Sequence, residues 1–318
     1  MRAYIMRRAL LLIPTIFLVT LIVFFSVRFV PGSVVDIMVG QLSAASGENV
    51  SRADVEKMMG LDKPVYIQYF NWLGHAVRGD LGESLWQKRA IFPDIISKIP
   101  ISLELGIMAI ITGLLISLPI GVYSAIRQDT VGDYVGRSFA ILCISLPSFW
   151  LATMVVVFPA TWWGWSPEVV YIPITQNLGA NLIQFSIPAV ILGMVASGTS
   201  MRMTRTMMLE VLRQDYIRTA WSKGLRERVV VIRHGMRNAL IPVVTIIGMQ
   251  IPALIGGSVI MEQIFSLPGM GRFMLEALNV RDYPIISGIN LAMATVILVI
   301  NLAVDLTYSM LDPRIRYR

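Results

Sequence analysis

The chain has 318 residues, of which 55% are hydrophobic and only 15% charged, with a formal net charge of +7. Soluble domains carry about 25% charged residues, so this composition excludes a water-soluble enzyme, a fibrous protein and a disordered tail. The deficit is concentrated in six windows free of Asp, Glu, Lys and Arg: Ala9–Val27, Leu105–Ile126, Ser138–Pro167, Val169–Met201, Asn238–Met261 and Tyr283–Val304. About 20 helical residues cross a hydrocarbon core of ~30 Å. A barrel strand would show ~10 residues of alternating polarity instead. The expectation is an all-α integral membrane protein of about six transmembrane helices.

In chain order, the first span is placed at 9–30. Arg2, Arg7 and Arg8 precede it, and no small-x-small cleavage site follows before Pro31-Gly32, so it reads as an uncleaved signal anchor, with cleavage as the alternative. A long loop, 31–100, comes next. Within it Ser51 and Asp54 form a capping box for a helix at 52–59, stopped by Gly60. After Pro64, residues Tyr66, Tyr69, Phe70 and Leu73 share one helical face, which would pack on the outer ends of the spans or seat an external partner. The second span is placed at 104–126. The third, 138–158, is closed by the interfacial Trp162, Trp163 and Trp165. Gln176, Asn177, Asn181 and Gln184 push the fourth back to 185–204, and the last two are 238–261 and 285–310. Prolines 14, 119, 147, 188, 242 and 252 lie in or beside the spans, as packing kinks or as flex points.

Charge sets the orientation. With a cytoplasmic N-terminus, inside segments hold 17 Lys/Arg and six acids, whereas outside segments hold ten and thirteen. The positive-inside rule then places both termini in the cytoplasm and the 31–100 loop outside. The segment 205–237 lies inside and is the most informative stretch. Leu209, Leu212, Tyr216 and Ala220 share a face, while Arg213, Gln214, Arg218 and Ser222 lie elsewhere. Asp215 is read as the N-cap of a helix Tyr216–Lys223, and Gly224 as its left-handed stop. A second helix runs from Glu227 into the fifth span. Such a cationic hairpin could bind DNA, meet anionic lipid, or dock a cytoplasmic protein. Its closeness to two spans argues against nucleic acid, and its capped helix argues for docking.

Catalytic signals are missing. None of the five lysines follows a glycine, so there is no P-loop for a nucleoside triphosphate. His75 and His234 fall in different compartments without Cys or His neighbours, so no metal site is expected. No Gly-x-Ser-x-Gly motif occurs. The lone Cys143 reads as a small core residue. The Met194–Met208 run reads as adaptable packing. Ionisable groups in the spans reduce to Asp305, with Glu104 at the outer end of the second and Arg202 and Arg205 at the inner end of the fourth. Asp305 reads as pairing near the cytoplasmic end of its span. A carrier driven by its own ion gradient would carry more such groups.

The run Asp215-Tyr216-Ile217-Arg218-Thr219-Ala220-Trp221-Ser222-Lys223-Gly224-Leu225, followed by Arg233-His234-Gly235-Met236-Arg237-Asn238-Ala239-Leu240-Ile241-Pro242, resembles the cytoplasmic loop of permease subunits of dipeptide/oligopeptide/nickel-type ABC importers. Gly60-Leu61-Asp62-Lys63-Pro64, Gly79-Asp80-Leu81-Gly82-Glu83-Ser84, Ser102-Leu103-Glu104-Leu105, Pro268-Gly269-Met270-Gly271, Arg281-Asp282-Tyr283-Pro284 and Asp312-Pro313-Arg314 fit the same family, in order, over nearly the whole chain. Two departures stand out: Arg218-Thr219-Ala220 where the wider family has Glu-Ala-Ala, and Ser102 where Thr is expected. The resemblance implies the first of two homologous permeases in a bacterial or archaeal plasma membrane. Its partners would be the second permease, two cytoplasmic ATPase subunits that bind the ATP, an extracytoplasmic substrate-binding protein and lipid. The chain itself would hold no cofactor. By the same resemblance Asp215, Tyr216, Ile217, Arg218, Thr219, Ala220, Lys223 and Gly224 form the ATPase-coupling interface, and a peptide is the substrate class. The rival reading is a self-energised carrier or channel for small solutes.

Overall fold

A computed structural model describes residues 2–28, 35–36, 38–40, 43, 49–58 and 60–311, with the side chains of 2–9, 27–28, 58 and 305–311 left out. The Pro31-Gly32 boundary, the Asp312-Pro313-Arg314 tail and the Asp305 side chain lie outside the described residues. Among the described residues the chain is helical, without strands beyond one isolated bridge between Glu83 and Ala90. The helices are α1 (Arg2–Arg28), α2 (Arg52–Met58), α3 (Val65–Val77), α4 (Ile91–Ile126), α5 (Val131–Ser145), α6 (Ser148–Trp163), α7 (Leu178–Leu212), α8 (Asp215–Ser222), α9 (Glu227–Ile264), α10 (Met270–Val280) and α11 (Tyr283–Leu311).

Four of these (α4, α7, α9 and the Tyr283–Val304 part of α11) are long and apolar enough to cross a bilayer, and α5 with α6 makes a fifth if that bent pair is one span. In α1 the apolar stretch is shorter, Leu10–Ser26. The helices overrun the expected limits. α4 begins at Ile91 rather than at 104, and α7 at Leu178 rather than at 185. Asn177 is the reason for the second difference, since its Oδ1 accepts from Ala180 N at 3.1 Å and caps α7. The expected third span is two helices bent by 92°. Pro147 disfavours the helical region for the residue before it, and Leu146 is extended at φ −85°, ψ 123°. α6 then passes the expected stop at Phe158 to end at Gly164, which adopts φ +65°.

Contacts divide the chain into two compact units. One comprises Met1–Arg2, Lys98–Arg272 and Val299–Arg318. Its central helix is α7, packed against α9, α5 and α6. Small residues permit the closest crossings. A methyl group on Gly193 would lie 2.7 Å from Ala109 O of α4, and one on Gly198 would lie 2.7 Å from Ala140 O of α5. Ile101, Leu105, Phe185, Ile191, Leu192, Met261 and Leu267 fill the core between the helices. Met201 and Met208 are fully packed, as the sequence implied.

The other unit comprises Ala3–Ser97 and Phe273–Leu298. In it α3 packs on α1 through Tyr69, whose hydroxyl meets Thr20 Oγ1 at 2.8 Å and whose ring abuts Phe17 and Phe24 edge-on. The expected face is split by this arrangement. Tyr69 is buried and Leu73 half-buried, whereas Tyr66 and Phe70 are 65% and 62% exposed. The inward stripe is completed by Trp72, not singled out from the sequence, which lies against Phe24. At α2 the Ser51 hydroxyl accepts from Ala53 N, and Gly60 takes φ +65° at the far end.

Candidate functional site

The segment between α7 and α9 folds as a tight hairpin. α8 spans Asp215–Ser222 with Gln214 at the N-cap position, extended at φ −74°, ψ 149° and without a side-chain cap. Asp215 is therefore a first-turn residue and not the expected N-cap. There its carboxylate favours the positive end of the helix dipole. The stop is as expected: Gly224 takes φ +71°, and Leu225 N donates back to Ala220 O at 3.4 Å.

An eight-residue helix is too short to hold itself in water, so packing fixes α8. Ile217 is 0% exposed and Ala220 nearly so, both against Val230 and Leu212. These two expected interface residues are thus turned into the chain. What faces outward is Asp215, Arg218, Thr219, Trp221, Ser222, Lys223 and Gly224. Thr219 and Ser222 direct their hydroxyls to backbone carbonyls one turn back, at 3.0 Å. The Arg218 guanidinium reaches the Asp215 carboxylate at 3.4 Å. Trp221 is 45% exposed, with Leu225 beside it at the turn. The sequence reading left both of these out of the interface, although an indole on the polar side of so short a helix was the visible signal.

Tyr216 stands at the edge of the two faces. Its hydroxyl accepts from Asn238 Nδ2 at 2.8 Å and donates to His234 O at 3.3 Å. The phenol thereby joins α8 to the start of α9, which is π-helical over Val230–Met236. Such wide turns are rare, and those that occur are frequently at functional sites. Below the hairpin, Arg205 of α7 makes a bidentate pair with Asp133 of α5, Nε to Oδ1 at 2.8 Å and Nη2 to Oδ2 at 2.7 Å. Asp133 is fully buried and accepts a third bond from Asp129 N. The planar fork fixes the angle between the two helices as a single ammonium would not.

Two further carboxylates tie together motifs that are remote in sequence. Glu262, one residue past the charge-free window Asn238–Met261, is fully buried near the end of α9. It accepts from Ser102 Oγ at 2.7 Å, Ser258 Oγ at 3.1 Å and Arg272 N at 3.0 Å. The Ser102 hydroxyl also accepts from Met270 N at 2.9 Å. A methyl group on Gly269 would collide with the buried Glu262 carboxyl group, so only glycine lets the chain pass. In the other unit Asp282 accepts from Ser84 Oγ at 2.5 Å and from Leu85 N, while Trp86 Nε1 donates to Val280 O at 2.8 Å. The Ser102 and Gly269 motifs are one latch, and the Ser84 and Asp282 motifs are another.

Among the described residues, no group of three or more His, Cys, Asp or Glu side chains is placed to hold a metal ion. His75 instead pairs with Asp80, Nδ1 to Oδ2 at 2.9 Å. Asp80 also accepts from Gly82 N, and these bonds, that of Gly82 first, hold its carboxyl below the usual carboxylate range. What the hairpin presents to solvent is an exposed face that carries both charges and an indole above a packed base.

Similarity to known proteins extends over the whole chain. Residues 117–317 match the family model "Binding-protein-dependent transport system inner membrane component", and residues 1–106 match the N-terminal model of the same kind of membrane component. The chain is 36% identical over 341 residues to the dipeptide transport system permease protein DppB of Escherichia coli K12, covering all of both chains. It is 39% identical over 337 residues to a protein of the same name from Alkalihalophilus pseudofirmus, again with full coverage of both. A putative peptide transport system permease of Brucella abortus is 38% identical over 317 residues and is likewise covered in full. A solved amino acid ABC transporter with histidines aligns with 70% of this chain and 94% of its own, at 15% identity and a TM-score of 0.49.

Proposed function

Because this chain belongs to the family of binding-protein-dependent transport system inner membrane components, we propose that it forms half of the translocation path of an ATP-driven importer of peptides. A second, homologous permease forms the other half, two cytoplasmic ATPase subunits drive it, and an extracytoplasmic binding protein delivers the substrate. Both termini and the 205–237 hairpin face the cytoplasm, and about six spans, α1 included, cross the membrane. The peptide class rests on the names of relatives matched end to end.

The observation that carries the coupling role is the division of α8. One face is sealed by Ile217 and Ala220, and the other displays Arg218, Trp221 and Lys223 to solvent. ATPase closure would draw the docked helices together, and the Tyr216 link and the Arg205–Asp133 fork would pass that movement to α9, α7 and α5. Reconstitution of the whole importer in liposomes tests the function. Uptake of labelled peptide should require ATP and the binding protein. Uptake by the permeases alone under an ion gradient would overturn it.

A further inference from the structure

With α1 as a span, as proposed above, α3 packs too far along it for a helix in an aqueous loop. Its Tyr69 touches Phe17, Thr20 and Phe24 of α1. At 1.5 Å per residue those positions lie about 6 to about 16 Å inward from the Arg28 end of α1. That is the outer half of its apolar stretch, where Phe17, Leu18, Ile22 and Phe25 are themselves exposed. On α3, Tyr66, Phe70 and Val77 form a second apolar stripe beside the buried one, 65%, 62% and 80% exposed. They sit within a ~40° arc of the helix, while Gln68, Asn71 and His75 occupy the opposite side. The polar side is partly satisfied within the loop, since Gln68 Nε2 donates to Lys63 O at 2.6 Å and His75 meets Asp80.

We propose that α3 is an in-plane membrane anchor, with Tyr66, Phe70 and Val77 set among the lipid chains of the leaflet at the Arg28 end of α1. α1 also exposes apolar side chains over the stretch that Tyr69 touches, and the same lipid would cover both helices. Aromatic residues at the edge of such a helix suit the boundary between acyl chains and headgroups. The polar side then meets the headgroups and water, and the α2–α3 loop is held down on the bilayer.

The test uses the full-length chain produced with its partner permease, with Cys143→Ala and either Phe70→Cys or Asn71→Cys, labelled with an environment-sensitive fluorophore in phosphatidylcholine vesicles. The label at 70 should be quenched by nitroxide-bearing lipid and be about three-fold or more less accessible to aqueous iodide than the label at 71. Equal iodide quenching at the two positions would overturn the proposal, because the stripe would then face water. So would protection of position 70 from both quenchers, because a protein surface would then cover it.

Discussion

The basic hairpin and the Glu262 latch use charge in opposite ways. Glu262 is sealed in the protein, and its bonds to Ser102, Ser258 and Arg272 stay within the chain. The hairpin buries only aliphatic groups and leaves its ions at the surface. A buried carboxylate with several donors specifies one arrangement of its partners, because each donor left unmatched costs about 1–3 kcal/mol. Exposed ions are worth under ~1 kcal/mol each to the fold, so those of α8 remain available for a partner. The first region holds the chain together, and the second is the one that the proposed function assigns to a partner.

The comparison breaks if variants in the two regions fail in the same way. Glu262→Leu should have the largest effect. Stranding the Ser102 hydroxyl and Arg272 N removes several kcal/mol, and little monodisperse protein should survive detergent size-exclusion. Asp133→Ala comes next, since loss of one partner from a buried pair costs about 3–5 kcal/mol. It should lower the midpoint of thermal unfolding, and Arg205→Lys, which loses the fork, should lower it less. Ile217→Ala should cost about 2–4 kcal/mol by opening a cavity under α8. Its signature is faster proteolysis of the hairpin. Trp221→Ala should leave abundance and melting unchanged while peptide-stimulated ATP hydrolysis falls.

The smallest effect concerns Asp80. Its folded carboxyl is held below its usual value by Gly82 N–H and His75, so what it contributes is present above about pH 4 and is lost as pH falls through the lower folded value. Asp80→Asn and the parent should therefore differ slightly in loop protection at neutral pH and converge in acid, as hydrogen exchange of residues 79–84 would read.

The sequence made most of the helices legible because lipid imposes a simple rule, that charges stay out of the core. It also located the turn at Gly224, where only backbone sterics are involved. It failed where distant segments decide. Glu262 stands just past the charge-free window Asn238–Met261 and nothing local sets it apart, because its donors Ser102 and Arg272 come from other segments. Ile217 looked available for docking until Val230 folded back on it. The 92° bend was visible as Pro147 alone, and a proline states where a helix yields without saying how far. On α3 the periodicity was right, but a 3.6-residue pattern cannot separate a stripe that meets protein from one beside it that does not. The motifs that carried the family resemblance were found as separate words; the structure joins them into two latches.

The central claim is that the outer face of α8 is gripped by a separate ATPase. Affinity purification of the permease pair carrying Trp221→Asp with Arg218→Glu tests it most directly, because both side chains lie on the exposed face of α8. The account predicts that both permeases are recovered at parental levels and that the ATPase subunits are lost from the eluate. Parental amounts of ATPase alongside the doubly substituted chain would contradict it.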